Sequence, residues 1–496
     1  MSAGDDHPPP AGAARRALRT VIVGAGPGAI ITGHALQEAG FDDFVMLERQ
    51  DRIGGTWARN RYPGLECDVV SRAYQFSFAL NPQWRKPYAR QPEILDYMER
   101  VVDELGLRPH IRLGTAVRGA RWDEDRSTWT VTTDAGEEIE ADVLVASTGM
   151  FGAERWPDIE GRETFAGTSV HTASWPDELD LAGARVAVVG SAASAVQLVP
   201  EIAGVASQLH VFQRSANWVL PKEDTPFTPE QIAELSGDRG ALEAARAEAL
   251  DQVGARFAFV LEEVRVLMED LGRQNIAVVE DPELREKLTP TSPWGCQRPL
   301  FSNVYYPVFN RSDVELVTEP IERITPTSVV TSDGAAREVD VIVYATGYET
   351  TRYISVLDIV GRDGVHIADA WADGAHAYLG ITTNGFPNLF MLYGPNTSHG
   401  SIITMIEYQV GYVRRMLERM ADEGLAWVDV RPEAVKAYDE EIQHDLDEVT
   451  VWDAGCHQYY RVPSGRIVTQ YPHSMYTYRD RLEAPDPEGT YEVGRR

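Results

Sequence analysis

A glycine-rich stretch near the start of the sequence has the residue types and spacing needed to hold a pyrophosphate. In GAGPGAIITGHAL, Gly24 and Gly26 allow a tight turn and a close approach of the backbone to the phosphates. Ala29 fills the third small position, so the following helix packs closely and directs its N-terminus at the anion. Glu48 ends the next apolar stretch, where a carboxylate can accept hydrogen bonds from a ribose diol. The pattern predicts a dinucleotide site.

A second turn, in VAVVGSAASAVQL, repeats this arrangement with informative changes. Gly190 keeps the first position, whereas Ala192 and Ala195 replace the other two small residues, which predicts a slightly looser approach to the pyrophosphate. Arg214 stands at the spacing that Glu48 has in the first turn, and an arginine pairs with a 2′-phosphate that a carboxylate would repel. The two turns therefore predict FAD at the first site and NADP at the second. A decayed turn with a surface arginine is the alternative interpretation. The predicted second site consists of Gly190, Ser191, Ser194, Arg214 and Ser215.

Each turn lies in a segment that the pattern predicts to be strand, turn, helix and strand, at 19–50 and 184–215. Two further apolar stretches, ADVLVASTGMFG and VDVIVYATGYETT, end in Ser/Thr-Gly turns that suit a dinucleotide or a domain crossing. The fold class is therefore predicted to be α/β, with two Rossmann-like dinucleotide-binding domains and a helical insert in the second.

The predicted domain division follows from the position of these segments along the chain. Residues 1–18 are expected to form a disordered tail. Residues 19–155 form the first part of the FAD-binding domain, and 156–335 form the NADP-binding domain. A helical insert at about 222–290 shows acidic faces and no metal or nucleophile pattern. Residues 336–496 complete the FAD-binding domain and add a C-terminal segment.

Composition and charge exclude several classes of partner. The formal net charge is −30, from 76 acidic and 46 basic side chains, so nucleic acid and anionic membranes would repel the chain. With 43% hydrophobic and 25% charged residues, the composition is that of a soluble globular protein. Cys67, Cys296 and Cys456 are widely separated, so neither a disulfide framework nor a CxxC pair is predicted, and a reducing cytoplasm fits. The chain is expected to be a monomer or homodimer.

The segment FAGTSVHTASWPD, between the two turns, resembles the fingerprint FxGxxxHxxxWP of the Baeyer-Villiger monooxygenases, and the resemblance covers residues 19 to about 480. In that family the segment links the two dinucleotide domains. Phe165 and Trp175 are expected to anchor the link, and Gly167 is expected to permit a left-handed turn. His171 is expected to hydrogen-bond backbone carbonyls across the domain boundary, with an acid or base in contact with the substrate as the alternative role.

Two loops resemble the family's active-site motifs. In GGTWARNRYPGLECDVVS, Asp68 matches the active-site aspartate, and in PWGCQRPLF, Arg298 matches the active-site arginine. Gln297 stands where the family commonly has a lysine that helps to hold NADP, which leaves Arg214 and Ser215 as the main contacts to the 2′-phosphate. The loop with Asn396 is expected to pass near the flavin. Expected flavin-side contacts in the first of these loops come from Gly55, Thr56 and Trp57, the last as a stacking face.

The resemblance implies that NADPH reduces FAD and that O₂ then forms a C4a-peroxyflavin that converts a ketone to an ester or lactone. Arg298 would keep the peroxide ionised, and Asp68 would orient Arg298. A flavin monooxygenase that oxidises sulfur or nitrogen remains the nearest alternative. A disulfide reductase would need a closely spaced cysteine pair, and a flavin-binding sensor without catalysis is the third possibility. Trp452 either lines the substrate pocket or packs in the core.

Overall fold

The computed structural model describes residues 16–256, 261–452, 456 and 460–495. Its strands are, in chain order, β1 (Thr20–Val23), β2 (Phe44–Leu47), β3 (Ile111–Arg112), β4 (Val117–Asp123), β5 (Thr128–Thr133), β6 (Glu138–Ala141), β7 (Val143–Ala146), β8 (Thr168–His171), β9 (Arg185–Val189), β10 (Gln208–Phe212), β11 (Val219–Leu220), β12 (Leu300–Phe301), β13 (Val314–Val317), β14 (Ile321–Ile324), β15 (Ser328–Thr331), β16 (Ala336–Glu338), β17 (Val341–Tyr344), β18 (Asp358–Val360), β19 (Leu389–Met391), β20 (Leu425–Val430) and β21 (Tyr491–Arg495).

The helices of the same described residues are α1 (Pro27–Glu38), α2 (Thr56–Arg59), α3 (Gln91–Glu104), α4 (Ala193–Ile202), α5 (Pro229–Ser236), α6 (Arg239–Arg256), α7 (Glu262–Ile276), α8 (Pro282–Leu288), α9 (Ile367–Ala370), α10 (Ile402–Glu423), α11 (Pro432–Asp447) and α12 (Met475–Glu483).

The first large sheet is parallel and has the strand order β19-β7-β1-β2-β3. All four residues of β1 and all four of β7 are buried, as expected for strands covered on both faces. Helix α1 follows β1 directly and packs against α10. The sheet therefore joins an early and a late part of the chain, because β19 pairs with β7.

The second large sheet is also parallel, in the order β13-β10-β9-β17-β8. The predicted α/β class with two Rossmann-like sheets is confirmed. One predicted boundary differs from the structure, because β17 belongs to the second sheet. The chain thus returns to the first sheet after Tyr344 and not near residue 335. The domain division as a whole remains a prediction.

The segment at 222–290 contains α5, α6, α7 and α8 in the residues that the structure describes. Helix α5 begins with a capping box in which the Thr228 side chain accepts from Gln231 N–H and the Gln231 side chain accepts from Thr228 N–H. Smaller sheets, with the orders β18-β4-β5-β6 and β14-β15-β16, lie outside the two large sheets. Over 16–256, 261–452 and 460–495, no helix combines the length and apolar character needed to cross a bilayer.

The predicted disordered tail covers residues 1–15, which lie outside the described residues, and residues 16–18, which do not fit the prediction. Leu18 is buried, with 1% of its surface exposed. The Arg16 guanidinium donates to Asp142 at 2.6 Å and to the carbonyl of Leu425. Ordered structure therefore begins at least at Arg16, because this side chain joins the β6–β7 connection to β20.

Candidate active site

In the turn after β1, the backbone of Gly24 and of Gly26 lies very close to the backbone of neighbouring segments. A Cβ added at Gly24, whose φ is +107°, would lie 2.6 Å from the carbonyl oxygen of Ser147. A Cβ at Gly55 would lie 3.0 Å from the Cα of Gly26. Among the described residues no side chain caps α1, whose N-cap is Gly26, and Ala29 is completely buried in the helix. The first turn of α1 therefore offers its N–H groups to an anion.

Glu48 follows β2, at the position where a ribose contact is predicted. Its Oε2 accepts a 2.8 Å hydrogen bond from Ala25 N–H, and its Oε1 accepts a 2.9 Å bond from Gln50 N–H. A carboxylate has about four acceptor positions, so these two bonds leave capacity for ribose hydroxyls. Glu48 thus holds the Gly24 turn in place, and its contact with a ribose remains a prediction.

The second turn has the same backbone geometry. Gly190 has a φ of +121°, and a Cβ there would lie 2.4 Å from the carbonyl oxygen of Ala345. The Ser191 hydroxyl donates a 3.2 Å hydrogen bond to the carbonyl of Ser215, which ties the turn to the residues after β10. Arg214 is exposed beside this contact. The structure therefore brings Gly190, Ser191, Arg214 and Ser215 together at one end of the second sheet, and a contact between Arg214 and a 2′-phosphate remains a prediction.

Asp68 and Arg298 form an ion pair beside helix α4. Arg298 Nη2 donates to Asp68 Oδ2 at 3.3 Å, although the residues are 230 positions apart. The side chain of Asp68 is 16% exposed and that of Arg298 is 45% exposed. Burial raises the pKa of Asp68 above its usual range, while the charge and hydrogen bond of Arg298 oppose that rise. The arrangement therefore presents a partly exposed cation that a more buried carboxylate holds in place.

Gln197 is a residue of this site that the sequence analysis missed. It lies on α4, and its Nε2 lies 3.4 Å from Asp68 Oδ1 and donates to the carbonyl of Glu66 at 2.8 Å. Its Oε1 accepts a 2.9 Å bond from the Tyr62 hydroxyl, which also interacts with Ser194. One amide from the second dinucleotide helix thus holds the loop that carries the aspartate. A polar residue within the apolar run of α4 was the only available signal.

A buried cluster of charged residues also supports the Asp68 loop. The Glu66 carboxylate accepts from both Lys86 and Lys222. Lys86 Nζ lies 3.0 Å from Asp224 Oδ2. Burial lowers the pKa of Lys222, and the charge of Asp224 opposes that shift. Because Lys222 follows β11, the cluster joins the Asp68 loop to the second half of the molecule.

Thr56 and Trp57 begin the short helix α2 directly after Gly55. The Trp57 indole Nε1 donates a 2.9 Å hydrogen bond to the Tyr74 hydroxyl, and the two rings meet edge to face with centroids 5.7 Å apart. Trp57 is 6% exposed, so the structure shows it as a packing residue of this loop. Its predicted stacking contact with a cofactor remains a prediction.

Gln297 and Asn396 occupy different environments. Gln297 is half-buried directly before Arg298, at the position where the family resemblance favours lysine. Asn396 has a φ of +55°, and its Nδ2 donates to the carbonyls of Ile467 at 2.8 Å and Gln470 at 3.0 Å. Asn396 therefore holds the C-terminal segment with both amide hydrogens, and a contact with flavin remains a prediction.

The fingerprint segment corrects one expectation. Gly167 does not adopt a left-handed conformation. It is required for space, because a Cβ there would lie 2.4 Å from the carbonyl oxygen of Asp340 and 2.7 Å from the ring of Phe165. Phe165 packs against a small cluster that includes Ile324 and Val329, whereas Trp175 packs against the larger core. The two aromatic residues therefore anchor the two ends of the segment in different clusters.

His171 ends β8 and is buried, with 1% of its surface exposed. Its Nδ1 accepts a 3.1 Å bond from Ala173 N–H, and its ring lies 5.2 Å from that of Trp156. Burial lowers the pKa of His171 below its usual value, so the ring is neutral near pH 7. The bond from Ala173 N–H lies within the segment, and the backbone of Arg155 and of Gly347 also hydrogen-bonds the ring and raises its pKa. The expected role of His171 in joining the two domains remains a prediction. The burial of the ring favours a structural role over contact with a substrate.

The structure contains a disulfide that the cysteine spacing did not predict. Cys296 and Cys456 are joined by a disulfide with Cα atoms 5.4 Å apart, although 160 positions separate them in the sequence. The spacing gave no signal because the Arg298 loop and the C-terminal segment meet only in the fold. Cys67 is a free, buried cysteine beside Asp68, and burial raises its pKa to about 12. Cys67 is therefore a thiol at neutral pH and a poor nucleophile.

Comparisons with known proteins identify the family. The model of the pyridine nucleotide-disulphide oxidoreductases matches residues 21–258. A Baeyer-Villiger monooxygenase from Streptomyces coelicolor is 36% identical over 485 residues, which cover 95% of this chain and 91% of that protein. Cyclohexanone monooxygenase from Rhodococcus sp. Phi1, bound to NADP⁺, superposes with a TM-score of 0.88 at 32% identity, covering 97% of this chain and all of that chain.

A further solved structure, the OTEMO complex with FAD and NADP, gives a TM-score of 0.87 at 31% identity and covers 96% of this chain and 99% of that chain. The broad family model includes disulfide reductases, but the disulfide that the structure describes joins cysteines 160 positions apart and lacks the close spacing those enzymes require. The likeness to the monooxygenases extends over both sheets and the segment between them. On this evidence the chain belongs to the Baeyer-Villiger monooxygenases.

Proposed function

We propose that this chain is an FAD-dependent monooxygenase that consumes NADPH and O₂ and converts a ketone to an ester or lactone. The observation that carries the proposal is the Asp68–Arg298 pair in a chain of this family that has two dinucleotide turns. Ketone and O₂ are the small molecules that meet there. The proposed FAD site consists of Gly24, Gly26, Ala29, Glu48, Gly55, Thr56, Trp57 and Asn396. The proposed NADP site consists of Gly190, Ser191, Ser194, Arg214, Ser215 and Gln297.

The geometry of both turns fits these cofactors. At Gly24 and at Gly190 there is no room for a Cβ, so the backbone itself forms the surface that a pyrophosphate would approach. In the described residues neither α1 nor α4 has a side-chain cap at its N-terminus. At the first turn Glu48 supplies a carboxylate, which suits the hydroxyl groups of a ribose diol. At the second turn Arg214 supplies a cation, which suits a 2′-phosphate.

When bound, FAD and NADPH supply the reducing equivalents and the oxygen transfer. Arg298 places a fixed positive charge where the substrate carbonyl oxygen becomes negative upon attack. At about 4 Å and an effective dielectric near 20, such a charge contributes roughly 4 kcal/mol, which desolvation of the site reduces. Asp68 keeps the guanidinium in place, and Arg298 in turn opposes the rise that burial causes in the pKa of Asp68.

The proposal includes a cytoplasmic location and a monomeric or homodimeric state. The Cys296–Cys456 disulfide is compatible with that location, because both residues are buried and burial restricts thiol exchange. Neither nucleic acid nor a membrane surface is proposed as a partner, since the net charge of −30 would repel both.

Product analysis with isotopically labelled oxygen tests the proposal. The purified protein should show the visible spectrum of bound flavin and should oxidise NADPH with linear, cyclic or polycyclic ketones under ¹⁸O₂. The ester or lactone should contain one ¹⁸O atom, because one oxygen atom is inserted next to the carbonyl. If sulfides or amines are oxygenated and no ketone is, the heteroatom-oxidising alternative is correct. If no substrate stimulates NADPH or O₂ consumption, the chain is a flavin-binding sensor.

A further inference from the structure

The loop that carries Arg298 is attached to the C-terminal segment at two points. Trp452 ends a short 3₁₀ turn, Thr450–Trp452, and its indole Nε1 donates a 2.9 Å hydrogen bond to the carbonyl of Gly295. One residue further along the loop, Cys296 forms the disulfide with Cys456. Trp452, Cys296 and Cys456 are all buried. Both attachments therefore lie within three positions of the active-site arginine.

The ion pair with Asp68 is one of several contacts that hold this loop. The Arg298 side chain is 45% exposed, and partly exposed ion pairs contribute little because water screens them and the side chain loses freedom. Elsewhere in the loop, Trp294 N–H donates to Glu269 at 3.0 Å, and the Arg298 carbonyl accepts a long 3.3 Å bond from Asn217. The attachments to the C-terminal segment thus hold the chain just before Arg298, while the pairing of β12 with β11, in which Leu300 N–H donates to the carbonyl of Trp218 at 3.4 Å, holds the chain just after it.

We propose that the Cys296–Cys456 disulfide and the Trp452 indole position the Arg298 loop for the oxygenation step. Cys456 and Trp452 are positioning residues, since they act on Arg298 through the backbone at Gly295 and Cys296. The inference rests on the proposed function, because it concerns the rate at which Arg298 assists ester formation. Flavin content is expected to stay unchanged when these contacts are removed, since the Gly24 turn directly follows β1 of the first sheet.

Reduction of the disulfide should release one of the two attachments. A dithiol reagent such as dithiothreitol attacks one sulfur as its thiolate, breaks the S–S bond and forms a mixed disulfide. Its second thiol then displaces the remaining cysteine and leaves as a cyclic disulfide. Cys296 and Cys456 gain two electrons and two protons in total and become thiols, while the reagent is oxidised. Because both cysteines are buried, the exchange requires local opening of the C-terminal segment.

Thiol titration tests the cross-link itself. Protein purified in air and denatured without reductant should show one thiol that reacts with Ellman's reagent, which is Cys67, and three after reduction. Three reactive thiols before reduction would show that the cysteines are not bonded in the isolated protein. That result would overturn the part of the proposal that concerns the disulfide.

Activity measurements test the positioning role. In Cys296→Ser/Cys456→Ser and in Trp452→Phe, kcat for ketone oxygenation should fall about tenfold, with the KM for NADPH and the flavin content unchanged. Incubation with dithiothreitol should lower kcat of the wild-type protein and leave that of the double variant as it was. Trp129→Phe is the matched control, because the buried Trp129 Nε1 also donates to a backbone carbonyl, that of Pro387, at 2.8 Å, but in the small sheet of β4, β5 and β6.

The outcomes separate the two proposals. If the wild-type protein forms no ester from any ketone, the proposed function fails. If it forms ester but kcat is unaffected by dithiothreitol and by both variants, only the positioning role is wrong. Equal losses in Trp452→Phe and Trp129→Phe would show a general effect of a missing buried hydrogen bond and would also overturn it. Because the dithiothreitol experiment uses the wild-type chain, a variant that does not fold leaves the test intact.

Discussion

The guanidinium of Arg298 lies 3.3 Å from the carboxylate of Asp68, although the two residues come from segments 230 positions apart. Each requires the other, because burial raises the pKa of Asp68 and the charge of Arg298 opposes that rise. Gln197 of α4 adds a third group to the pair from the second dinucleotide unit. The cation is therefore fixed by groups from both halves of the molecule, and its position depends on how the halves are joined.

Replacement of Arg298 by alanine should abolish ester formation and leave flavin binding intact. The expected loss in kcat is at least about 10²-fold to 10³-fold, which is typical when a group that stabilises an oxyanion is removed. Arg298→Lys should recover part of the activity, because it keeps the charge but not the planar donor geometry. Product yield and the visible flavin spectrum are the measurements.

Arg126→Ala is the control for that change. Arg126 is an exposed arginine between β4 and β5, with an ion pair of 2.9 Å to Asp123, so its removal should leave activity unchanged. Normal ester formation by Arg298→Ala would contradict the role given to this residue. Loss of bound flavin in the same variant would show a structural effect instead.

Replacement of Gln197 by leucine should shift the acidic limb of the pH profile to higher pH. The Gln197 amide donates to the ionised carboxylate and so lowers the pKa of Asp68, which burial has already raised. Without the amide, that pKa rises further, and Asp68 becomes protonated and stops pairing with Arg298 at a higher pH during acidification. The plot of kcat/KM for the ketone against pH measures the shift.

Gln443→Leu gives a matched comparison for the Gln197 variant. Gln443 is also a half-buried helical glutamine, and its Nε2 donates to the carbonyl of Ile467 at 2.9 Å, with no carboxylate partner among the residues that the structure describes. Its pH profile should be that of the wild-type protein. An unchanged acidic limb in Gln197→Leu, with normal activity, would show that this limb reports another group.

Replacement of Arg214 by glutamate should remove the preference for NADPH over NADH. Arg214 is exposed after β10, beside the Ser191–Ser215 contact of the second turn, and a carboxylate there would repel a 2′-phosphate. The KM for NADPH should rise at least about tenfold, which corresponds to roughly 1.4 kcal/mol, while the KM for NADH changes little. Arg239→Glu, on the exposed face of the insert, controls for the change in net charge. An unaltered KM for NADPH would assign the 2′-phosphate contact to other residues.

Local patterns predicted the parts of the fold that depend on neighbouring residues. The glycine turns at Gly24 and Gly190 were recognisable because turn, helix and strand follow one another within about 30 residues. Asp68 and Arg298 could be identified from family motifs on either side of them. Gln197 could not, because its role depends on which face of α4 meets a loop from the other half. The disulfide was missed for the same reason, since 160 positions separate its cysteines.

The domain boundary near residue 335 and the role of Gly167 show a second limit of prediction from sequence patterns. The stretch that contains β17 was recognised as an apolar strand with a small-residue turn, but a pattern does not say to which of two similar sheets a strand belongs. A glycine is required either for a left-handed φ or for the close approach of other atoms to its Cα. The sequence alone does not distinguish these two reasons. At Gly167 the structure shows the close approach.

Replacement of Gly167 by alanine should therefore destabilise the second sheet through crowding. A methyl group would lie 2.4 Å from the carbonyl oxygen of Asp340 and 2.7 Å from the ring of Phe165, and overpacking of this kind costs about 1–3 kcal/mol. The melting temperature should fall by several degrees in differential scanning calorimetry. Gly152→Ala is the matched control, because Gly152 has no positive φ and a Cβ there would meet no atom within 4 Å. A melting temperature for Gly167→Ala equal to that of Gly152→Ala would mean that the segment relaxes around the methyl group, and the glycine of the fingerprint would then need another explanation.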